Sequence, residues 1–255
     1  MLVDRYPAYV GGPELHMLLY EPVRCIEPGS GVLLLHGGAL SAGTPQDMAP
    51  HCEALAERGI FAASAAYRLL GQGAQSIDDC LSDVNAAIAR FMAMAAAHGL
   101  PTDRLAIGGS SAGAHLALVS AMPQQGRGEL SARHRMNAVI ALNPAGLDLA
   151  AHDQATQRSL EARIGTGPGS LLRYSLMERV RSGGPAVLIQ HGTADEVEPI
   201  AWVRRFRDAM IAVGNRCELL EYESARHAFH YPGTSNGDNF TAVIDATARF
   251  LADLR

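Results

Sequence analysis

A serine flanked by glycines is the strongest candidate nucleophile in this 255-residue sequence. The segment Gly109-Ser110-Ser111-Ala112-Gly113 fits the pattern G-x-S-x-G, with Ser111 at its centre. The residues before it, RLAIGG, predict a strand, and those after it, AHLALVSA, predict a helix. A tight turn between them needs small neighbours because its central residue is strained. The pattern therefore predicts an exposed, activated Ser111; Ser110 is a rival that lacks the glycine spacing.

An activated serine needs a base, and ten histidines are available. In a strand–turn–helix arrangement of this kind, an acid and then a histidine follow the serine along the chain. Asp195 and His227 each follow an apolar, strand-like segment. Because the carboxyl ends of parallel strands meet at one edge of a sheet, we expect these groups to lie near Ser111. His227 would accept the Ser111 proton, and Asp195 would hold the imidazole in the required tautomer.

A glycine pair follows the first central strand and could bind a developing oxyanion. His36-Gly37-Gly38-Ala39 comes directly after the apolar run GVLLL. Glycine lets an oxygen approach the backbone closely. We therefore predict that the N–H groups of Gly37, Gly38 and Ala112 form an oxyanion hole, although Gly37-Gly38 taken alone also fits a plain turn.

Short apolar runs between longer periodic segments predict the elements that position these groups. Near-continuous runs of this length suit strands that are covered on both faces. Such runs are Gly31–His36, Ile60–Tyr67, Arg104–Ile107, Ala138–Leu142, Ala186–Gln190 and Cys217–Tyr222. A further run, Leu15–Tyr20, predicts an early antiparallel edge strand.

Helical periodicity separates the strands. The clearest helix begins at Ser76, with Asp79 as its capping-box partner, and ends at Gly99. Other apolar stripes start at Met48, Val203 and Val243. Strands that alternate with helices predict an α/β fold with a mostly parallel central sheet and helices on both faces.

Several motifs together resemble the α/β-hydrolase superfamily, in particular its small esterase/lipase branch. That branch includes hormone-sensitive-lipase-like enzymes and acetyl-xylan- and feruloyl-esterase-like enzymes. The matching segments occur in family order: LHGGAL from Leu35, YRL from Tyr67, GGSSAGAHLA from Gly108, HGTADEVEP from His191 and ARHAF around His227. The resemblance implies an α/β-hydrolase fold, a Ser/Asp/His triad and no cofactor.

The sequence departs from that family in three places. Ala39 stands where a third glycine is common, and Ala114 stands where a glycine is common. Little chain precedes the core, so we expect no N-terminal cap and one α/β-hydrolase domain over residues 1–255. The stretch 146–184 lacks strong periodicity, and we interpret it as an excursion over the C-terminal edge of the sheet that is helical in part and could act as a lid.

Composition excludes other classes of protein. The chain contains no lysine, which excludes a Walker-A loop, a Schiff-base enzyme, a kinase core and a Ser–Lys dyad. Its net charge of −5 argues against nucleic acid as a partner. The four scattered cysteines favour buried free thiols, and no signal peptide or membrane span is evident. We expect a cytoplasmic protein with a small-molecule ester as substrate; the oligomeric state stays open, a homodimer included.

Other polar groups have structural interpretations. We expect His36, His115 and His191 to pack or hydrogen-bond in the core, and Arg68 to form a structural ion pair. His227-x-x-His230 could be read as a metal pair, but no third ligand has suitable spacing, so no metal site is predicted. Glu198 is an alternate candidate for the acid.

The residues predict a carboxylesterase-type serine hydrolase that forms an acyl-enzyme intermediate on short-acyl esters. Nothing in the triad separates ester from amide cleavage, so an arylformamidase or a peptidase-like hydrolase is an alternative. A ligand-binding protein without catalysis is a further alternative because fold does not fix function.

Overall fold

A mostly parallel sheet of eight strands forms the centre of the protein. The structure is a computed structural model, and it describes residues 1–9, 11–24, 29–122, 136–234 and 239–254. The strands are β1 Leu2–Pro7, β2 Glu14–Tyr20, β3 Gly31–Leu35, β4 Phe61–Ala65, β5 Leu69–Leu70, β6 Gly73–Ala74, β7 Leu105–Ser110, β8 Ala138–Leu142, β9 Ala186–Gly192 and β10 Cys217–Tyr222. The order across the sheet is β1-β2-β4-β3-β7-β8-β9-β10, and β5 pairs with β6 separately. Strand β2 runs antiparallel to both of its neighbours, β1 and β4, and the other neighbouring pairs of this sheet in the described residues are parallel.

The central strands are buried along their whole length, as their apolar runs predict. Every residue of β3, β4, β7 and β8 is buried because helices cover both faces. The antiparallel strand predicted at Leu15–Tyr20 is confirmed by β2, but its predicted place at the sheet edge is wrong, because β1 pairs with its outer side. Strand β1 was not predicted, since it lies at the sheet edge and buries only Tyr6.

Six α-helices in the described part of the chain flank the sheet: α1 Ala49–Glu57, α2 Ile77–Ala97, α3 Ala112–Ala121, α4 Gln154–Arg163, α5 Ile200–Ala212 and α6 Asn239–Ala252. Alternate strand residues divide the core between two layers. Leu33 and Leu35 face the layer of α2, α3 and α5, whereas Val32 and Leu34 face the layer of α1 and α6. The predicted α/β fold with helices on both faces is confirmed. The capping box at Ser76 and Asp79 is also present.

Helix α2 is, within the described ranges, the one helix long and apolar enough to cross a membrane by length and composition alone. Its apolar face, including Val84 and Phe91, lies in the core beside the sheet. Since a buried core helix passes the same test, this is weak evidence for a membrane span.

The stretch 146–184 connects β8 to β9. It contains α4 and three short 3-10 turns, at Leu149–Ala151, Leu171–Tyr174 and Met177–Arg179, so it is helical in part, as predicted.

Cys52, Cys80 and Cys217 are buried free thiols, and Cys25 lies outside the described residues.

Candidate active site

Ser111 lies at a sharp turn between β7 and α3. Its φ of 52° and ψ of −116° are strained for a residue with a side chain. A Cβ atom on Gly109 would lie 2.4 Å from the Leu35 carbonyl oxygen, and one on Gly113 would lie 2.3 Å from the same oxygen. Both glycines are therefore required by the close approach of β3 to the turn.

The structure brings the three predicted side chains into one hydrogen-bonded chain. His227 Nε2 lies 2.9 Å from Ser111 Oγ, and His227 Nδ1 lies 2.7 Å from Asp195 Oδ2. Asp195 and His227 are on the loops that follow β9 and β10, so all three groups lie at the carboxyl edge of the sheet. A hydroxyl, an imidazole and a carboxylate in this order can activate the serine as a nucleophile.

The Asp195 carboxylate is held in place by backbone donors. Its Oδ1 accepts hydrogen bonds from the N–H groups of Val197 at 2.8 Å and Glu198 at 3.1 Å. Burial raises the pKa of Asp195, but the hydrogen bond and charge of His227 and the Glu198 N–H outweigh it, so the pKa lies below its ordinary value. Asp195 is therefore ionised at neutral pH and can stabilise an imidazolium at His227.

Asn143 is a polar group of the site that the sequence reasoning missed. It directly follows β8, is fully buried and has a positive φ of 36°. Its Nδ2 lies 3.1 Å from His227 Nε2, so the amide faces the same nitrogen as Ser111 Oγ. The position just after a buried central strand, next to the strand that carries Ser111, is the signal that could have identified it.

The loop after β3 has an unusual backbone conformation. Gly38 has a φ of 104°, and a Cβ there would lie 2.1 Å from the Ala42 carbonyl oxygen, so only glycine fits. Ala39 and Leu40 also have positive φ values. Gly37, Gly38 and Ala112 line the same cavity as Ser111, which is where the sequence predicts an oxyanion hole.

Tyr231 lines this cavity next to Gly37. Burial raises the pKa of its phenol, and hydrogen bonding to the Ser110 side chain and the Gly37 backbone partly offsets that effect. The phenol therefore stays neutral and links the glycine loop to the loop that carries His227.

Two neighbouring cavities meet at the turn. The larger of the two has a volume of about 680 Å³, and its lining includes Ser111, His227, Gly38, Asp47 and Tyr231. The smaller, of about 210 Å³, is mainly apolar. Its walls come mostly from residues 146–184 and α2, namely Ile77, Gly146, Leu149, Leu160, Ile164, Leu171 and Tyr174. Five residues line both cavities, so a ligand at Ser111 can extend into either; they are Ala39, Ala112, Ala145, Arg163 and Val197.

Glu198, the alternate acid, does not contact His227 in the structure. It is buried in the wall of the smaller cavity and accepts hydrogen bonds from the N–H groups of Gly146 and Leu147. Burial, with a smaller contribution from the charge of Asp195, raises its pKa to about 7 although those two N–H groups lower it. Glu198 thus anchors the start of the 146–184 stretch.

Three other histidines pack as the sequence predicts. His36 stacks on Tyr67 at 4.3 Å, His115 hydrogen-bonds the Ala145 carbonyl, and His191 hydrogen-bonds the Glu198 carbonyl. Burial lowers the pKa of each imidazole, to about 4 for His115. All three are therefore neutral core groups.

His230 does not share a ligand position with His227. His227 faces Ser111, whereas His230 is fully buried and lies 2.9 Å from Ser110 Oγ. Among the described residues, no group of three side chains from His, Cys, Asp and Glu is placed to hold a metal ion.

An eight-stranded sheet with this strand order, a serine at the turn after β7, and an acid and a histidine on later loops define an α/β hydrolase of the esterase branch. Residues 17–210 match the model of the BD-FAE family, and the chain belongs to that family.

Solved structures of esterase 2 from the planctomycete Thermogutta terrifontis are similar to this chain. The propionate-bound form is 30% identical, with a TM-score of 0.83 over 98% of this chain and 94% of that chain. The form phosphonylated by sarin is 29% identical, with a TM-score of 0.84 over the same shares.

Plant proteins are similar over most of the chain. The probable isoprenylcysteine alpha-carbonyl methylesterase ICMEL1 of Oryza sativa subsp. japonica is 29% identical over 244 residues, which are 88% of this chain and 57% of the relative. Isoprenylcysteine alpha-carbonyl methylesterase ICME of Arabidopsis thaliana is 29% identical over 68% of this chain and 44% of the relative. The chain thus spans about half the length of these plant relatives.

Proposed function

We propose that this protein is a serine carboxylic-ester hydrolase that acts on short-acyl esters. Ser111 Oγ attacks the acyl carbon while His227 Nε2 accepts its proton, and Asp195 stabilises the resulting imidazolium. The N–H groups of Gly37, Gly38 and Ala112 bind the oxyanion. The tetrahedral intermediate then expels the alcohol, which takes the proton from His227, and leaves an acyl group on Ser111.

Deacylation repeats these steps with water. His227 removes a proton from the water as it attacks the acyl carbon, and then returns that proton to Ser111 Oγ as the carboxylic acid leaves. The free enzyme is thereby restored.

The unbroken hydrogen-bond chain from Asp195 through His227 to Ser111 is the observation that carries this proposal. Its two distances, 2.7 and 2.9 Å, are within the range needed for proton transfer. Ser111 also has the strained backbone expected of a nucleophile raised above a sheet edge.

The smaller cavity supports a short acyl group. Its volume of about 210 Å³ lies below the roughly 300–1,000 Å³ of sites for drug-sized ligands. Most of its wall is aliphatic, which suits an unbranched hydrocarbon chain. The structures of T. terrifontis esterase 2 with propionate or butyrate bound are consistent with an acyl group of this size here.

The larger cavity would receive the alcohol. Its volume of about 680 Å³ accommodates alcohols of many sizes. The methylesterase names of the plant relatives are consistent with ester hydrolysis but do not transfer an alcohol or an acid to this chain.

The test is hydrolysis of p-nitrophenyl acetate, butyrate and octanoate, together with labelling by a fluorophosphonate. We expect turnover that is fastest on acetate or butyrate, a burst of one p-nitrophenol per chain, and a label on Ser111. The Ser111→Ala variant should lose the label and at least about 1,000-fold in kcat. Folded protein that shows neither burst nor label would overturn the proposal.

A matched ester and amide pair separates the proposed activity from its nearest alternative. Faster cleavage of the amide would favour an amidase on the same triad. Ligand binding that persists unchanged in Ser111→Ala, with no turnover by the parent, would favour a binding protein instead.

A further inference from the structure

A second serine–histidine contact joins the same two loops as the proposed catalytic pair. Ser110 immediately precedes Ser111, and His230 lies on the same loop as His227. His230 Nε2 lies 2.9 Å from Ser110 Oγ, which is the same separation as that between His227 Nε2 and Ser111 Oγ. The turn after β7 and the loop after β10 are thus connected by two adjacent hydrogen bonds.

A third side chain supports this contact from α1. His51 Nε2 lies 2.9 Å from His230 Nδ1 and 3.1 Å from the His230 carbonyl oxygen. A carbonyl oxygen can only accept, so His51 Nε2 carries the proton and donates it to both groups. His230 Nδ1 is then an acceptor.

The tautomer of His230 follows from this contact. Both rings are almost fully buried, and burial lowers the pKa of His51 to about 4 and that of His230 well below its ordinary value, so both imidazoles are neutral. A neutral His230 that accepts at Nδ1 carries its proton on Nε2 and donates it to Ser110 Oγ.

This direction excludes Ser110 as a second nucleophile. A base must accept a proton from the serine, whereas His230 donates one to it. Ser110 is also only 2% exposed. The contact therefore has no acid–base use of its own.

We propose that Ser110, His230 and His51 form a brace that positions Ser111 and His227 for proton transfer. The brace fixes the two loops against each other and against α1 at points one and three residues from the reacting side chains. Catalytic rates depend steeply on such alignment, since a displacement of about 1 Å can cost about 100-fold. The inference rests on the proposed function, in which Ser111 and His227 react.

The experiment compares two changes at His230 with one at Ser110. Ser110→Ala removes the acceptor, and His230→Phe removes the donor at similar volume. His230→Gln keeps an N–H donor at the position of Nε2. Ser64→Ala is the matched control, because Ser64 is also a fully buried strand serine but its hydroxyl has no partner among the described residues.

Each variant is measured per active site, after titration of competent Ser111 with a fluorophosphonate, so that misfolded protein does not count. The readouts are the rate constant of that labelling, and kcat and KM on p-nitrophenyl butyrate. We expect Ser110→Ala and His230→Phe to lower the labelling rate and kcat by about 10- to 100-fold with KM within about twofold. His230→Gln should recover most of this loss, Ser64→Ala should match the parent, and the double variant Ser110→Ala/His230→Phe should lose no more than either single variant.

Parent-like labelling rates and kcat per active site in Ser110→Ala and His230→Phe would overturn the brace, even if both variants unfold more easily. Equal losses in His230→Gln and His230→Phe would also overturn it. If the parent itself is not labelled and does not turn over, the proposed function fails instead.

Discussion

Asp195 and Glu198 show how two carboxyl groups on one short loop acquire opposite properties. Asp195 faces an imidazole and has a lowered pKa, whereas burial raises the pKa of Glu198 to about 7. Glu198 bonds only backbone N–H groups, at Gly146 and Leu147, and contacts no cation in the described residues. The sequence presents both groups in one motif, and their surroundings assign one to His227 and the other to the cavity wall.

The raised pKa of Glu198 predicts a specific dependence of stability on pH. Because the folded-state value lies above the ordinary value of 4.5, Glu198 stabilises the fold below about pH 4.5, and this contribution is lost as pH rises through about 7. Relative to Glu198→Gln, the parent should therefore lose up to about 3 kcal/mol of unfolding free energy between pH 5 and 8. Urea unfolding of both proteins across this range measures the difference. A difference that does not vary with pH would contradict the prediction.

At the scale of elements, the unit of β7, the turn at Ser111 and α3 depends on its close approach to β3. A Cβ on Gly113 would lie 2.3 Å from the Leu35 oxygen and 2.4 Å from the His36 oxygen. These oxygens belong to the backbone and cannot rotate away. The turn and the strand must therefore separate if any side chain is added at this position.

Gly113→Ala should lower the free energy of unfolding by about 2–4 kcal/mol and displace Ser111. Gly167→Ala is the control, because a Cβ there would meet nothing nearer than Ser170 Oγ at 3.9 Å and should change stability by less than about 0.5 kcal/mol. Denaturant unfolding and esterase activity measure both effects. A Gly113→Ala variant as stable and active as Gly167→Ala would refute this account of the turn.

Helix α4 has a different task, since it forms part of the wall of the smaller cavity through Leu160 and Arg163. Leu160 is partly buried and also packs against the core. In the proposed function, this helix would limit the length of an acyl chain that enters from Ser111.

Leu160→Ala should shift the acyl preference toward longer chains. Burial of one methylene provides about 0.8 kcal/mol, so kcat/KM should gain about fourfold for each additional methylene that the enlarged cavity accepts. The measurement is kcat/KM on p-nitrophenyl esters from acetate to octanoate. Arg158→Ala, an exposed change on the same helix, serves as the control and should keep the parental profile. An unchanged preference in Leu160→Ala would show that another wall limits the acyl chain.

At the scale of the whole molecule, a buried ion pair ties the segment after β4 to α2. Arg68 forms a fork with Asp83 through Nε and Nη2, both at 2.8 Å, and the Asp83 side chain is fully buried. The Arg68 backbone N–H also donates to Asp83. The structural ion pair predicted for Arg68 is therefore confirmed.

Asp83→Ala should lower the free energy of unfolding by about 3–5 kcal/mol. The reason is that the mostly buried Arg68 guanidinium would lose the carboxylate that forms its close ion pair. Glu221→Ala breaks an exposed pair with Arg204 and should cost less than about 1 kcal/mol. Thermal or urea unfolding compares the two variants, and kcat per active site should remain parental in both. Equal small losses would show that burial adds little to the Arg68 pair.

The sequence by itself determined the fold class and the order of the chemical groups. The predicted strands Ala138–Leu142 and Cys217–Tyr222 begin and end at the same residues as β8 and β10 in the structure. The glycines around Ser111 predicted the turn. Hydrophobic periodicity, capping and turn chemistry are local properties, so neighbouring residues suffice to reveal them. Strand β1 escaped this reasoning because an edge strand with one buried residue has no apolar period.

Only the tertiary structure decided which distant groups meet. Ser110 and His230 are 120 positions apart, and His51 and His230 are 179 positions apart. No spacing of residues along the chain therefore predicts that these three side chains are in contact. The same holds for Asn143 beside His227 and for α4 beside the smaller cavity. Tertiary packing brings such distant residues into contact. The burial of each serine or histidine then determines whether it can react with a substrate or can only position a reacting group.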